Sequence, residues 1–251
     1  MIDIQELSVH FGGVVSLDQM TIQFPEGTCG LIGPNGAGKT TFFNVLSGFV
    51  TPRCGRIDAM GQDLLALPDF KRARWGLRRT FQTEQAIEKL TVFDNVATVY
   101  EHTSGRNAKM GRTEAVYAAL EFVGLTDVAL KTVRTLGAKE RRFIEVARAV
   151  VGEPKLILLD EPAAGLPDAE TAVLGQIIRN IPDRIGATVI LVDHDMELVQ
   201  ACCDWTAVLD FGRLLASGPT AEVLRDPNVM RAYLGTEEVT VEDVGTEEVA
   251  S

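Results

Sequence analysis

The chain has 251 residues, 46% of them hydrophobic and 24% charged, the balance of a globular protein with room for one large domain or a core plus a smaller lobe. A formal net charge of −11 excludes a broad nucleic-acid footprint, which needs a wide basic surface. The apolar runs, such as 156–159 and 187–192, fall far short of the roughly 20 residues of a membrane-spanning helix, so any membrane role passes through a partner.

The first residues, Met1 to Leu7, are acidic and alternating rather than basic and then apolar, and no secretory signal is expected from them. Residues 2–11 alternate Ile2, Ile4, Leu7 and Val9 with polar neighbours, and residues 20–24 repeat the pattern. Both read as half-exposed strands of an antiparallel edge. Phe11 closes the first strand before Gly12-Gly13; local pattern fits a core phenylalanine and an exposed aromatic equally.

Residues 28–41 run from a short apolar strand into a glycine loop and then a helix start. Gly33, Pro34, Asn35, Gly36, Ala37, Gly38, Lys39 and Thr40, followed by Thr41, fit G-x-x-x-x-G-K-[ST], a phosphate cradle. In it, backbone N–H groups wrap the phosphates, the lysine reaches the β/γ-phosphates and the hydroxyl ligates Mg²⁺. The glycines permit close backbone approach, and the unpaired N–H groups of the helix start favour an anion.

Residues 40–47 read as a helix closed by Gly48, and 55–57 as a short strand. A stretch rich in Leu, Arg and Lys, 62–79, leads into Leu77-Arg78-Arg79-Thr80-Phe81-Gln82. Helical patterns at 92–101 and 112–123 flank a polar connector at 104–111 that is expected to be mobile, and 83–152 is expected to form a helical lobe. Apolar positions at helical spacing recur over 138–151, before the stop signals Gly152 and Pro154. Two continuous apolar strands follow: 156–159 ends at Asp160-Glu161-Pro162 and, after a helix at 168–180, 187–192 ends at Asp193-His194-Asp195. Such strands alternating with helices imply a mostly parallel sheet covered on both faces, with ligands at the carboxyl ends of its strands.

Strands at 205–209 and 214–216 precede two short helices ending near Leu234. Residues 236–251 hold six acids and no bases and are expected to be a solvated, disordered tail on a domain spanning 1–235. The four cysteines, Cys29, Cys54, Cys202 and Cys203, lack metal-ligand spacing and read as reduced thiols of a cytosolic protein.

A nucleoside triphosphatase needs an acid for Mg²⁺, a base for the attacking water and a sensor for the γ-phosphate. Asp160 and Glu161 fit the first two roles, and His194, at the end of the next strand, fits the third.

From residue 2 to about 235 the chain resembles the ATP-binding subunits of ABC transporters. Gly33 to Thr41 looks like their Walker A and 156–160 like Walker B. The resemblance implies a P-loop NTPase core with an antiparallel β edge subdomain and a helical signature subdomain. It further implies that Glu161 is the catalytic base, Gln82 the Q-loop glutamine, His194 the switch histidine and Phe11 the adenine-stacking aromatic. Lys39 would contact phosphate, and Thr40, Gln82 and Asp160 would hold Mg²⁺ beside ATP.

More narrowly, Phe11-Gly-Gly13, Arg79-Thr-Phe-Gln82, Asp160-Glu-Pro-Ala-Ala-Gly-Leu166, Asp193-His-Asp-Met196 and Val229-Met-Arg-Ala-Tyr-Leu-Gly235 look like the branched-chain amino-acid uptake group and the similar urea/amide importers. The lipopolysaccharide-exporter ATPase is a near relative. The implied partners are a second ATPase subunit, permease subunits docked in a groove near Gln82 and, indirectly, a solute-binding protein. The implied location is the cytoplasmic face of the cell membrane.

Two departures stand out. The signature loop, Leu-Ser-Gly-Gly-Gln in the family, aligns with Leu136-Gly137-Ala138-Lys139-Glu140, and Pro167 stands where Asn or Asp is usual. The expectation is a heterodimer with two unequal sites, in which Gly137, Ala138, Lys139 and Glu140 complete the weaker one. Three other readings remain: a soluble ABC regulator or assembly factor, a small-molecule P-loop kinase, and an interaction protein with an inactive site.

Overall fold

In the computed structural model, which describes residues 1–103 and 109–234, the chain begins as a hairpin. β1 (Ile2–Phe11) and β2 (Val14–Phe24) pair antiparallel from Phe11↔Val14 to Ile2↔Phe24, burying Ile2, Ile4, Leu7 and Val9. The second strand reaches back to Val14, where the sequence reading began at residue 20. Val14 and Val15 are both exposed, so alternation is lost there. Glu6 and Gln19 each sit at φ 49°, and the register slips at three points, the mark of bulges that tighten the twist.

β3 (Thr28–Ile32), buried at all five positions, feeds through the glycine loop into α1 (Lys39–Ser47). β4 (Cys54–Ala59) pairs with β1, and β5 (Gln62–Asp63) with β4. The Leu/Arg-rich stretch resolves into β5, α2 (Asp69–Trp75), capped by Pro68, and β6 (Leu77–Arg79). α3 (Val92–Thr103), α4 (Arg112–Phe122) and α5 (Ala138–Val150) pack together as a helical lobe around Val96, Val116, Leu120 and Ile144.

β7 (Leu156–Asp160) and β8 (Thr188–Val192) are buried at every position. α6 (Asp168–Arg179) and α7 (Ile181–Ile185) connect them. α7 has its proline in the first turn and Gly186 as a left-handed cap. α8 (Met196–Cys202), β9 (Trp205–Asp210), β10 (Arg213–Pro219), α9 (Thr220–Val223) and α10 (Pro227–Leu234) complete the described chain. The tail expected at 236–251 and most of the connector expected at 104–111 lie outside the described residues.

Two sheets result. One is antiparallel, in the order β2-β1-β4-β5; the other runs β10-β9-β3-β8-β7-β6 and is parallel except for β10. α1 lies between them, its Phe42, Phe43, Val45 and Leu46 packed among residues of β1, β2 and β3. The other face of the parallel sheet is covered by α5, α6 and α8. A fully buried parallel sheet needs cover on both faces, and the uninterrupted apolar strands reflect that. With β8 between β3 and β7, the glycine loop, Asp160-Glu161 and His194 emerge from one edge of the sheet.

Candidate active site at the carboxyl edge of the sheet

The glycine loop is shaped by contacts with its own protein. Gly33 has φ +150°, and a Cβ there would lie 2.1 Å from the Leu209 carbonyl oxygen. Gly38, the left-handed cap of α1 at φ +105°, would place a Cβ 2.7 Å from the Ser16 carbonyl oxygen. The loop is closed by Ala37 N–H donating to Pro34 O (3.1 Å) and Gly212 N–H donating to Ala37 O (3.0 Å). Among the described residues, the backbone N–H groups of Gly36, Gly38, Lys39, Thr40 and Thr41 find no protein acceptor. That leaves a row of donors at a helix start, with the dipole behind them, facing outward.

Lys39 Nζ donates to Gly33 O (2.5 Å) and Pro34 O (3.0 Å), so its ammonium lies across the mouth of the loop. Burial pulls its pKa below the usual lysine range, while Glu161 and Asp160 pull it back up. Thr41 is fixed by a hydroxyl contact with Ser16 (2.7 Å), whereas the Thr40 side chain is exposed and unpaired among the described residues. Asn35 is exposed and Pro34 half-buried.

Asp160 ends β7 in a buried environment that raises its carboxyl pKa, with Arg79 partly offsetting the rise. Arg79 Nη2 meets Asp160 Oδ2 at 3.0 Å, the two side chains being 6% and 9% exposed. The same guanidinium donates to Asn44 Oδ1 (2.7 Å) and lies over the rings of Phe43 (5.5 Å) and Phe81 (5.0 Å). Burial lowers the pKa of Arg79 as well, so desolvation pushes both members of the pair toward their neutral forms. Next along the chain, Thr80 Oγ1 accepts from the Asp160 N–H (3.1 Å).

Glu161 sits at φ 47°, a strained conformation for a non-glycine residue, held by its N–H donating to Val192 O (2.8 Å). Its Oε2 accepts from Gln82 Nε2 at 2.8 Å. Gln82 is tied in turn to the helical lobe, its carbonyl accepting from Arg142 Nη1 (3.3 Å) on α5.

His194 follows β8 and is 76% exposed. Its backbone N–H and that of Asp195 both donate to Asp193 Oδ1 (2.8 and 3.0 Å), and Asp195 Oδ1 caps α8 through Glu197 and Leu198 N–H. Asp193 therefore braces the histidine's backbone while Asp195 caps the following helix, and the ring, 3.7 Å from Asp193 Oδ1, is largely in solvent. Asp193 is buried, its Oδ2 has no partner, and burial raises its pKa.

Gln82, Asp160, Glu161, Lys39 and the donors of the loop thus come together. Phe11, at the tip of the hairpin whose Ser16 touches Gly38, is 51% exposed and is not a core residue. Gly137, Ala138, Lys139 and Glu140 stand apart at the start of α5, with no hydrogen bond to the loop. Lys139 Nζ lies 5.7 Å above the Phe143 ring, and the Glu140 carboxylate folds back to within 3.0 Å of where a Gly137 Cβ would stand.

The donors suit Mg²⁺: Asp160 keeps Oδ1 unpaired, Gln82 keeps its amide oxygen, and the Thr40 hydroxyl is open. Reasoning from sequence assigned no site role to Arg79 or Asp193. The visible signals were an arginine three residues before Gln82 and an acid directly before His194.

The family model for the ABC transporter matches residues 17–164. The chain belongs to the ABC transporter family. A second model, the branched-chain amino acid ATP-binding cassette transporter, matches residues 213–239. The cassette is 34% identical to the high-affinity branched-chain amino acid transport ATP-binding protein LivG of Escherichia coli K12, over 94% of this chain and 98% of the relative. It is 35% identical, over the same shares, to BraF of Pseudomonas aeruginosa, which carries the same description. Its fold matches the ADP conformation of MJ1267, an ATP-binding cassette of an ABC transporter, with TM-score 0.83, 25% identity, 94% of this chain and 99% of that one covered. The architecture is therefore that of a P-loop ATPase cassette.

Proposed function

We propose that this cassette hydrolyses ATP to energise an importer for branched-chain or other hydrophobic amino acids, or for urea or amides. The observation that carries this is the convergence of the loop donors, Lys39, Asp160, Glu161 and Gln82 on one sheet edge. The branched-chain amino-acid reading is supported by what LivG and BraF are named for.

In this reading the free N–H groups of residues 36–41 and Lys39 take the phosphates, and Phe11 takes the adenine on its exposed face. Lys39 exchanges its two loop carbonyls for phosphate oxygens. Glu161 holds and deprotonates the attacking water once Gln82 releases its carboxylate, and His194 steadies the γ-phosphate. Thr40, Gln82 and Asp160 would hold Mg²⁺, which would supply charge neutralisation at the phosphates. The positive φ of Glu161 aims its carboxylate off the strand end, and that strain is borne by the Val192 hydrogen bond.

No described helix is long and apolar enough to cross a membrane. Permease subunits on the inner face of the cell membrane would supply the attachment. The docking surface we assign to them is the cleft walled by Phe49, Phe70 and Phe81, where Phe49 and Phe70 are 57% and 54% exposed. Phe81 immediately precedes Gln82, so a helix seated there would bear on the site.

The dimer we favour is a heterodimer, with a solute-binding protein acting through the permeases. With Lys139 laid on Phe143, and no hydroxyl at 137, the start of α5 offers a poor surface to a partner's γ-phosphate. That same feature favours a second reading, a catalytically weak regulatory subunit of such a complex.

Glu161→Gln decides the base: ATP binding retained with turnover nearly abolished is expected, and unchanged turnover rejects the assignment. Isotopic leucine uptake, on co-expression with candidate permease subunits and a solute-binding protein, tests the solute.

A further inference from the structure

A second concavity opens at the opposite edge of the sheet, between the core and the helical lobe. Its volume is about 820 Å³, within the range of small-molecule sites. The end of α2, the start of β6, the turn into β7 and the end of α7 wall it on the core side, and α4 on the other. These are amino ends of parallel strands, remote from the site described above.

Four cations line it from the core side: Arg74, Arg78, Lys155 and Arg184. Among the described residues none of them forms an ion pair. Among the described residues Glu153 is the only acid in the lining, and it pairs with Lys109 at the rim (3.4 Å). In a chain of net charge −11, cations would ordinarily find acids.

Three of the four are held in place without being neutralised. Arg74 lies 5.7 Å over Phe70, Lys155 5.2 Å over Trp75 and Arg184 5.7 Å over Phe122. Gly76, at φ +125°, makes the turn that brings Lys155 in; a Cβ there would lie 2.9 Å from the Lys155 Cγ.

The fourth, Arg78, is 6% exposed. Its Nη1 donates to the carbonyls of Ala73 (2.5 Å) and Leu77 (3.1 Å), but Nε is buried without a partner and Nη2 has no acceptor. The empty Nε–Nη2 edge is the fork by which arginine takes an oxyanion in a bidentate way. Burial pulls the pKa down to about 10, which leaves the group charged at neutral pH. A buried cation with three of its five N–H donors idle is costly unless an anion completes it.

We propose that this cleft binds a small organic anion carrying two or more phosphate groups. Tetrahedral phosphates accept from several directions at once, as forks and ammonium groups around one cavity require. The apolar wall of Ala115, Ala119 and Ile185 takes the organic body. The proposal is independent of the ATPase reading, because no residue is shared.

The test is isothermal titration of the full chain with inorganic tripolyphosphate, in a Lys39→Ala background that disables the loop at the other edge. One site is expected to remain. Adding Arg78→Met should weaken it at least about tenfold, the weight of a lost charge-assisted hydrogen bond. Arg74→Ala with Arg184→Ala, both exposed positions that leave the fold intact, should do the same, while the exposed Arg225→Ala, outside the lining, should not. Absence of binding in the Lys39→Ala protein, or binding indifferent to both sets of cleft variants, overturns the proposal and leaves the ATPase reading standing.

Discussion

Replacing Arg79 by methionine keeps most of the stem that packs on Phe43 and Phe81 but removes the cation from Asp160. An unpaired carboxylate at 9% exposure is expensive, and removing one partner of such a pair costs about 3–5 kcal/mol. The carboxyl can escape by taking up a proton. That sets a ceiling on the added loss of 1.36 kcal/mol per pH unit above the wild-type carboxyl's folded pKa; because that pKa is already raised above the unfolded value of about 3.9, the ceiling lies below about 4 kcal/mol near pH 7 and below about 1.5 near pH 5. In the variant the folded state then holds a proton that the unfolded state has lost, so stability falls as pH rises above about 4 until the raised folded pKa is passed. The lost Asn44 hydrogen bond and ring contacts add about 1 kcal/mol, independent of pH. Urea unfolding of both proteins should therefore show a loss of at most about 5 kcal/mol near pH 7 that shrinks to at most about 2.5 near pH 5. An equal loss at both pH values, or one under about 1 kcal/mol at the higher pH, would refute the idea that Arg79 is there for the charge of Asp160.

Gly33→Ala should be far worse than Gly36→Ala, because only the first drives a Cβ to 2.1 Å from a backbone oxygen, while the second bears only its positive φ, about 1–2 kcal/mol; calorimetric midpoints will rank them. Asp193→Asn keeps an acceptor for the two N–H groups and removes a carboxyl whose pKa is raised, so it should flatten the fall in wild-type stability as pH rises above about 4; denaturant titration across that range checks it. Restoring the signature loop with Gly137→Ser and Lys139→Gly should raise ATP turnover of the isolated chain by about tenfold or more, one transition-state contact's worth, if α5 is what limits a homodimer; unchanged turnover removes that explanation. Native thiol titration should find one fast thiol, Cys54, and four after unfolding, because Cys29, Cys202 and Cys203 are buried and burial pushes Cys29 to a pKa of about 12.

Signals carried by residue type and spacing were legible in the chain. The loop at 33–40, the buried strands before Asp160 and Asp193, and the placement of both at carboxyl ends follow from apolar runs and glycine positions alone. What escaped were features set by tertiary contact. Phe11 stood undecided because one residue at a strand end has no periodicity, and only its 51% exposure settles it. Alternation alone marks only residues 20–24 of β2, because Val14 and Val15 at its start both face solvent. Arg79 and Asp193 looked like ordinary charged residues, since nothing local announces that an arginine will cross to a strand 81 residues away or that an acid will be sealed beneath a histidine's backbone.

One short stretch links these observations. Arg79 holds the side chain of Asp160, Thr80 holds its backbone, Phe81 stacks on the exposed Phe49 at 6.2 Å, and Gln82 holds Glu161 while its carbonyl meets α5. Four consecutive residues therefore touch both acids, the aromatic cleft and α5, which Gly137 caps. Lys39, meanwhile, is occupied by its own loop. Lys39, the Glu161 carboxylate and Asp160 Oδ2 are thus each held by a protein partner that a nucleotide must displace, whereas the loop N–H groups and the Thr40 hydroxyl stand open. It follows that a change at Phe81 cannot remain local: any shift of its ring moves the Arg79 guanidinium stacked on it 5.0 Å away, and with it the one cation paired to Asp160 among the described residues.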